Sequence, residues 1–287
     1  MNVTSNEKRR RLRALLTQPG LSVAPSCGDA LTARLVESCG YPAVHCSGSV
    51  VHNTAGFADG GLLTLTEFVA TLTTMSDAVS IPLIADADTG YGSAANVVRT
   101  VREYERAGVA ALHMEDQVTP TRPARGAGYT VRTISRDEMT GKVRAALDAR
   151  QDGDLVIIVR CDFKGERQEV IDRLGAYLEA GADAAWFPSG TDEEMSQARK
   201  ALKKPLIGVL QPAMTLKQFE ELGASIAMLP GTLQVAALHA QKRVLEELKR
   251  SGSLKACFDG LEGIEEIKKF YANQGAEELL GMDRKYG

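Results

Sequence analysis

The sequence predicts an α/β protein, a closed (β/α)8 TIM barrel with a C-terminal helical segment. Three observations predict it. Short apolar runs alternate with amphipathic stretches along the chain, in eight β-then-α units. The runs lack in/out alternation, as strands covered on both faces must. Three units close on the same turn phrase, Ala107-Gly108-Val109, Ala180-Gly181-Ala182 and Leu222-Gly223-Ala224. Glycine there ends a helix in the left-handed region and turns the chain back. A doubly wound open sheet would want a glycine-rich phosphate loop after the first strand, and Cys27-Gly28-Asp29 is not one.

In order, residues 7–17 suggest an opening helix, 21–25 a strand and 29–39 its helix. A second strand at 42–46 runs into Ser47-Gly48-Ser49, and 50–64 reads as a longer loop before a helix at 65–79. Strands follow at 81–87, 109–114, 155–159, 182–187, 205–209 and 225–229. Helices follow them at 94–107, 135–150, 169–180, 193–202 and 216–222, the second with Ser135 as a plausible N-cap. The polar stretch 117–134 reads as a lid loop. The last part, 233–273, reads as helix interrupted near 251–259. The expected division is a barrel domain over 1–232 and C-terminal helices over 233–287.

The chain has 287 residues, 44% hydrophobic and 25% charged, with a net charge of −3. That length suits one α/β barrel. The charge argues against nucleic acid or an anionic membrane as partner, and no apolar run approaches the ~20 residues that span a bilayer. The polar N-terminus lacks an apolar signal core. Five scattered cysteines, with no CxxC pair, suit reduced thiols in the cytoplasm.

In a barrel, chemistry gathers at the C-terminal ends of the strands. The segment Leu83-Ile84-Ala85-Asp86-Ala87-Asp88-Thr89-Gly90-Tyr91-Gly92 is a buried strand running into a sharp turn. Asp86 and Asp88 are two apart, so in a strand they lean to one side. That geometry suits a hard divalent cation; turn aspartates capping the next helix are the other reading. Neighbouring strand ends carry Ser47-Gly48-Ser49, Glu115 and Arg160. Acidic oxygens for Mg²⁺, a small hydroxyl loop for an anion and an arginine for a carboxylate read together as a site for a chelated oxo- or hydroxy-acid.

These residues carry a resemblance. The sequence resembles the isocitrate lyase/phosphoenolpyruvate mutase superfamily over about residues 10–240. The resemblance lies in Gly28-Asp29-Ala30, Ser47-Gly48-Ser49, Asp59-Gly60-Gly61-Leu62, Thr64-Leu65-Thr66-Glu67, Asp86-Ala87-Asp88-Thr89-Gly90-Tyr91-Gly92, Glu115-Asp116-Gln117, Met139-Thr140-Gly141-Lys142 and Arg160. It implies a Mg²⁺-dependent barrel, with Mn²⁺ as a substitute. Such a barrel cleaves or forms C–C or C–P bonds beside a carboxylate, through an enolate. It implies Asp86 as the main metal ligand, with Asp88, Glu115 and Asp59 acting through water. Ser47, Gly48 and Ser49 are implied as the cradle of a small anionic carboxylate, Arg160 as its charged clamp, and Tyr91 as a catalytic side chain beside the metal. A C-terminal helix swapped between subunits, in a homodimer or homotetramer, is implied for the tail.

The sequence also departs from that pattern. Pro123 stands where the lyase branch has its acid/base cysteine, Ser189 where it has a glutamate, and Val209 where it has an asparagine. Proline cannot transfer a proton. Tyr91, His45, Tyr129, Arg125 and Lys164 are the substitutes at hand, although histidines here are read first as structural. Retro-aldol cleavage needs an acid and a base, whereas loss of CO₂ from a β-keto acid needs neither at the start. The expectation is therefore a carbon–carbon lyase on a 2-oxo- or 2-hydroxy-dicarboxylate, oxaloacetate-type decarboxylation ahead of 2-methylisocitrate- or dimethylmalate-type cleavage. C–P chemistry on phosphonopyruvate and a non-catalytic carboxylate-binding barrel are the alternatives. Trp186 is expected as pocket wall or core.

Overall fold

The computed structural model describes residues 3–123, 128–187, 192–259 and 262–287. Arg125 and Ser189 lie outside these. The chain opens with α1 (Ser5–Thr17), then β1 (Ser22–Cys27), α2 (Ala30–Ser38), β2 (Val44–Cys46), α3 (Gly48–Thr54) and α4 (Leu65–Ala78). It continues through β3 (Leu83–Asp86), α5 (Ala94–Arg106), β4 (Ala111–Glu115), α6 (Arg136–Ala149), β5 (Val156–Arg160) and α7 (Arg167–Glu179). The barrel ends with β6 (Ala184–Trp186), α8 (Asp192–Ala201), β7 (Leu206–Val209), α9 (Leu216–Glu221) and β8 (Ile226–Leu229). Then come α10 (Thr232–Ser251), α11 (Leu254–Phe258), α12 (Ile264–Ala272) and α13 (Ala276–Tyr286). All eight strands pair in parallel and in chain order, and β8 returns to β1 to close the barrel.

Two apolar layers hold this ring. Val44, Leu83, Leu112, Ile157 and Ala185 face outward and pack against helix residues such as Phe68, Val101, Val143 and Leu174. Ala24, Ile84, Ile158, Trp186, Ile207 and Met228 fill the interior, with Leu12 and Leu16 of α1. Arg9 and Arg13 of α1 donate to the backbone carbonyls of Glu105, in the last turn of α5, and of Val109, Gly153 and Asp154, ahead of β4 and β5. Helix α1 therefore closes the N-terminal end of the barrel, and the opposite end is left for chemistry. Gly108, Gly181 and Gly223 take φ of 85°, 119° and 80°. That is the left-handed turn their repeated phrase predicts. Ser135 caps α6 by accepting from the Glu138 N–H.

Two stretches differ from expectation. The segment read as loop from residue 50 begins with a helix, α3, which buries Val50, Val51 and His52. The tail also carries one more helix, α13, beyond residue 273. The chain divides into two compact units, Met1–Gln234 and Val235–Gly287. No helix among the described residues is long and apolar enough to cross a membrane.

Candidate active site

Strand register sets the site. Asp86 pairs with His113 across β3 and β4, Glu115 with Arg160 across β4 and β5, and Arg160 with Trp186 across β5 and β6. Neighbours in a parallel sheet point to the same side. These side chains therefore gather inside the C-terminal end of the barrel.

The two aspartates do not share a side because both lie in a strand. Asp88 has already left β3, with φ of 45°, and Tyr91 follows at 60°. Non-glycine residues seldom hold this left-handed region, and such strain gathers at functional sites. The turn bends back so that the Asp88 N–H donates to Asp86 Oδ1 at 3.0 Å, while the Asp88 carbonyl accepts from the Glu115 N–H. The other Asp86 oxygen accepts from the Gly48 N–H at 3.0 Å. A Cβ at Gly48 would lie 2.8 Å from Asp86 Oδ2 and 3.4 Å from Asp88 Oδ1. Both carboxylates thus converge on one point, and only glycine leaves it open.

Arg160 grips Asp162 with two N–H groups, at 2.9 and 2.8 Å, and reaches Glu115 at 3.1 Å. Its guanidinium lies 5.2 Å from the Trp186 ring centroid. Glu115 also accepts from Thr121, and Asp162 from the Gln117 side chain. Asp162 is a site residue that the sequence reading passed over. Its backbone N–H donates to Asp116, which Tyr177 and Arg173 hold from behind.

The charge here is unbalanced. Asp86, Asp88, Glu115 and Asp162 are all buried around one arginine. Burial, then the charges of Asp86 and Asp59, push the Asp88 carboxyl well above its ordinary range. Burial likewise drives Glu115 up, with Asp162, Asp86 and Asp88 adding to it against Arg160. Burial also works against ionised Asp86, but His113, Arg160, His45 and the Asp88 N–H outweigh it and hold Asp86 low. The half-buried Asp59 is raised by burial and by Asp86. His45 and His113 are driven down, to about 3 and about 4, chiefly by burial.

This donor set fits a hydrated divalent cation. Its donors are oxygens, its charge is an excess of carboxylate, and Gly48 keeps its centre open. Among the described residues no three His, Cys, Asp or Glu side chains come close enough to enclose an ion. Mg²⁺ does not require that, because it keeps several waters and uses one or two carboxylates.

Other predicted residues are placed differently. Ser47 and Ser49 meet each other, Oγ to Oγ, at 3.0 Å where β2 gives way to α3. The Tyr91 hydroxyl lies 3.2 Å from that of Tyr104, which donates to the Asp86 carbonyl. It therefore braces the turn from beneath. Tyr129 and Lys164 are exposed, and Val209 packs against the interior layer. Trp186 is the interior wall that was expected, 4.6 Å from His113 and 5.8 Å from His45 between ring centroids. The base of the 117–134 segment is a small antiparallel ladder. Val118 donates to the Arg132 carbonyl and Ile134 to that of Asp116.

Comparison with known proteins places this barrel among enzymes that work on carboxylates and phosphonates. The phosphoenolpyruvate phosphomutase family model matches residues 12–249, and the chain belongs to that family. A 2,3-dimethylmalate lyase from Eubacterium barkeri is 36% identical over 91% of this chain and 97% of its own. An oxaloacetate decarboxylase from Rhodopseudomonas palustris is 35% identical over 97% of this chain and 99% of its own. Among solved structures, a phosphonopyruvate hydrolase in complex with oxalate and Mg²⁺ has a TM-score of 0.87 and 31% identity, with 99% of each chain covered.

Proposed function

We propose that the chain is a Mg²⁺-dependent carbon–carbon lyase acting on a small 2-oxo- or 2-hydroxy-dicarboxylate. The observation that carries this reading is the unbalanced charge at the barrel mouth, four buried carboxylates around Arg160. The two lyase-type relatives named above support the same class. Asp86 would hold the ion directly, with Asp88, Glu115 and Asp59 reaching it through water, and Mn²⁺ would fit the same oxygens. Mg²⁺ supplies, when bound, a Lewis acid that polarises the substrate's keto oxygen and stabilises the charge left as the bond breaks.

The chain's own residues bind and orient. Ser47, Gly48 and Ser49 cradle the substrate carboxylate at the start of α3. Two of the five guanidinium N–H groups of Arg160 are committed to Asp162, and the remainder serve Glu115 and the incoming carboxylate. Tyr91 acts as a positioning residue rather than a proton donor, since its hydroxyl is paired with Tyr104. With proline at 123 as well, the site suits a first step that moves no proton, the loss of CO₂ from a β-keto acid.

The test is pyruvate release from oxaloacetate, 2-methylisocitrate, 2,3-dimethylmalate and phosphonopyruvate, each with Mg²⁺ and with excess chelator. Chelator-sensitive pyruvate from oxaloacetate is the expected result. Release from the second or third substrate moves the assignment to aldol-type cleavage, and from the fourth to C–P chemistry. No release from any leaves a carboxylate-binding barrel and overturns the enzyme reading.

We also propose a homodimer or homotetramer held by the C-terminal helices. Leu238, Leu245, Leu254, Tyr271 and Leu279 are exposed, and among the described residues from 235 onward only Cys257 is buried. Large exposed apolar residues in such number mark interaction surfaces. Light scattering on the full chain is expected to give two or four copies, and a monomer at micromolar concentration would sink the idea. The free cysteines fit a reducing compartment, which makes the cytoplasm the proposed location.

A further inference from the structure

Inside the barrel, polar side chains from three strands run in a line toward Asp86. Ser26 Oγ of β1 lies 2.7 Å from His45 Nδ1 of β2. His45 Nε2 lies 3.0 Å from His113 Nε2 of β4. His113 Nδ1 ends the line, 3.6 Å from Asp86 Oδ1. Ser26, His45 and His113 are all buried, and His113 Nδ1 has no hydrogen-bond partner. Nothing in the chemistry above uses them. Buried polar groups without a structural or functional reason are costly, so such a line calls for one.

The contacts constrain where the protons sit. Two imidazole nitrogens 3.0 Å apart must meet as one N–H and one lone pair. If His113 Nε2 held the proton, His113 Nδ1 would turn a lone pair toward the Asp86 carboxylate. If His45 Nε2 holds it, each member is matched. The Ser26 hydroxyl then donates to His45 Nδ1, His45 Nε2 donates to His113 Nε2, and His113 Nδ1–H faces Asp86. This arrangement sets the positive end of a dipole against the carboxylate without placing a charge on either buried ring, and in a buried setting that attraction is strong. Trp186 packs against both rings and holds their planes.

We propose that Ser26, His45 and His113 are positioning residues, a hydrogen-bonded line that sets the Nδ1–H tautomer of His113 and through it orients Asp86 for a divalent cation. The inference rests on Asp86 being the metal's ligand. Groups behind a ligand commonly orient it and tune its affinity. Here Ser26 does so through two rings, without touching metal or substrate.

Two measurements test it. Long-range ¹H–¹⁵N spectra of metal-free protein with ¹⁵N-labelled histidine read the tautomers directly. The expected result is N–H at His45 Nε2 and His113 Nδ1, and lone pairs at His45 Nδ1 and His113 Nε2. The reverse assignment overturns the line. Calorimetric titration with Mg²⁺ is the second measurement. Ser26→Ala is expected to weaken binding about tenfold and to leave both His tautomers mixed, while Asp86→Asn abolishes binding. Should Asp86→Asn lose the ion and Ser26→Ala bind it as wild type does, the positioning role is wrong. Should Asp86→Asn bind Mg²⁺ unchanged, the metal reading itself is wrong, and the spectra still decide the line.

Discussion

Asp86→Asn is expected to lower activity about 10³-fold or more, equivalent to losing about 4 kcal/mol of transition-state stabilisation. The change is nearly isosteric. It removes a charge that the protein otherwise holds in place with two backbone donors, the N–H groups of Asp88 and Gly48. An amide has only one acceptor oxygen, so one of those N–H groups would face an NH₂. That mismatch costs about 1–3 kcal/mol, which a barrel of this size tolerates. The variant is therefore expected to keep a wild-type circular dichroism spectrum, melt a few degrees lower and show no response to added Mg²⁺. The check is initial rate against Mg²⁺ concentration for both proteins. Full activity with an unchanged Mg²⁺ response would remove Asp86 from the metal site.

The barrel was legible because its strands are buried on both faces. Runs such as Leu155 to Val159 need no alternation, and repeated Gly turns mark where each helix ends. Helix α3 was not legible. Its residues Val50, Val51, Asn53 and Thr54 are weak helix formers, and Ser47-Gly48-Ser49 reads as a turn. Tertiary contact outweighs that preference. Gly28 lies so close to α3 that a Cβ there would meet Val50 and Val51 at 2.9–3.0 Å. At the site, Asp86, Asp88, Glu115 and Arg160 were visible because strand ends can be located. The spacing argument for Asp86 and Asp88 reached a convergence that the structure achieves by another route, a left-handed residue at 88. Asp162 was missed although it stands two residues beyond Arg160, the same spacing as the aspartate pair. His113, two before Glu115, faces the interior by that rule too. What no spacing shows is the ring-to-ring contact with His45, because that depends on register across β2, β3 and β4.

Replacing Arg160 separates two roles that the geometry has merged. Arg160→Met leaves the side chains of Asp162 and Glu115, 3% and 4% exposed, without their cation. Breaking a buried pair in this way costs about 3–5 kcal/mol, which for a chain of this length lowers Tm on the order of 10 °C. Activity is expected to fall as well, since the substrate carboxylate loses its clamp. A drop in both quantities does not by itself show that Arg160 touches substrate. The double variant R160M/D162N does. It removes one of the stranded charges while keeping the acceptor for Gln117 and the backbone bond to Asp116, so much of the lost Tm is expected to return. Activity is expected to stay low, because neither substitution restores a donor for the carboxylate. Arg160→Lys is expected to lie between the two, with a higher KM. It keeps the charge but loses the planar fork that reaches both Asp162 oxygens at once. If activity returns together with Tm in the double variant, Arg160 is a structural ion pair, and the carboxylate must be gripped elsewhere at the barrel mouth.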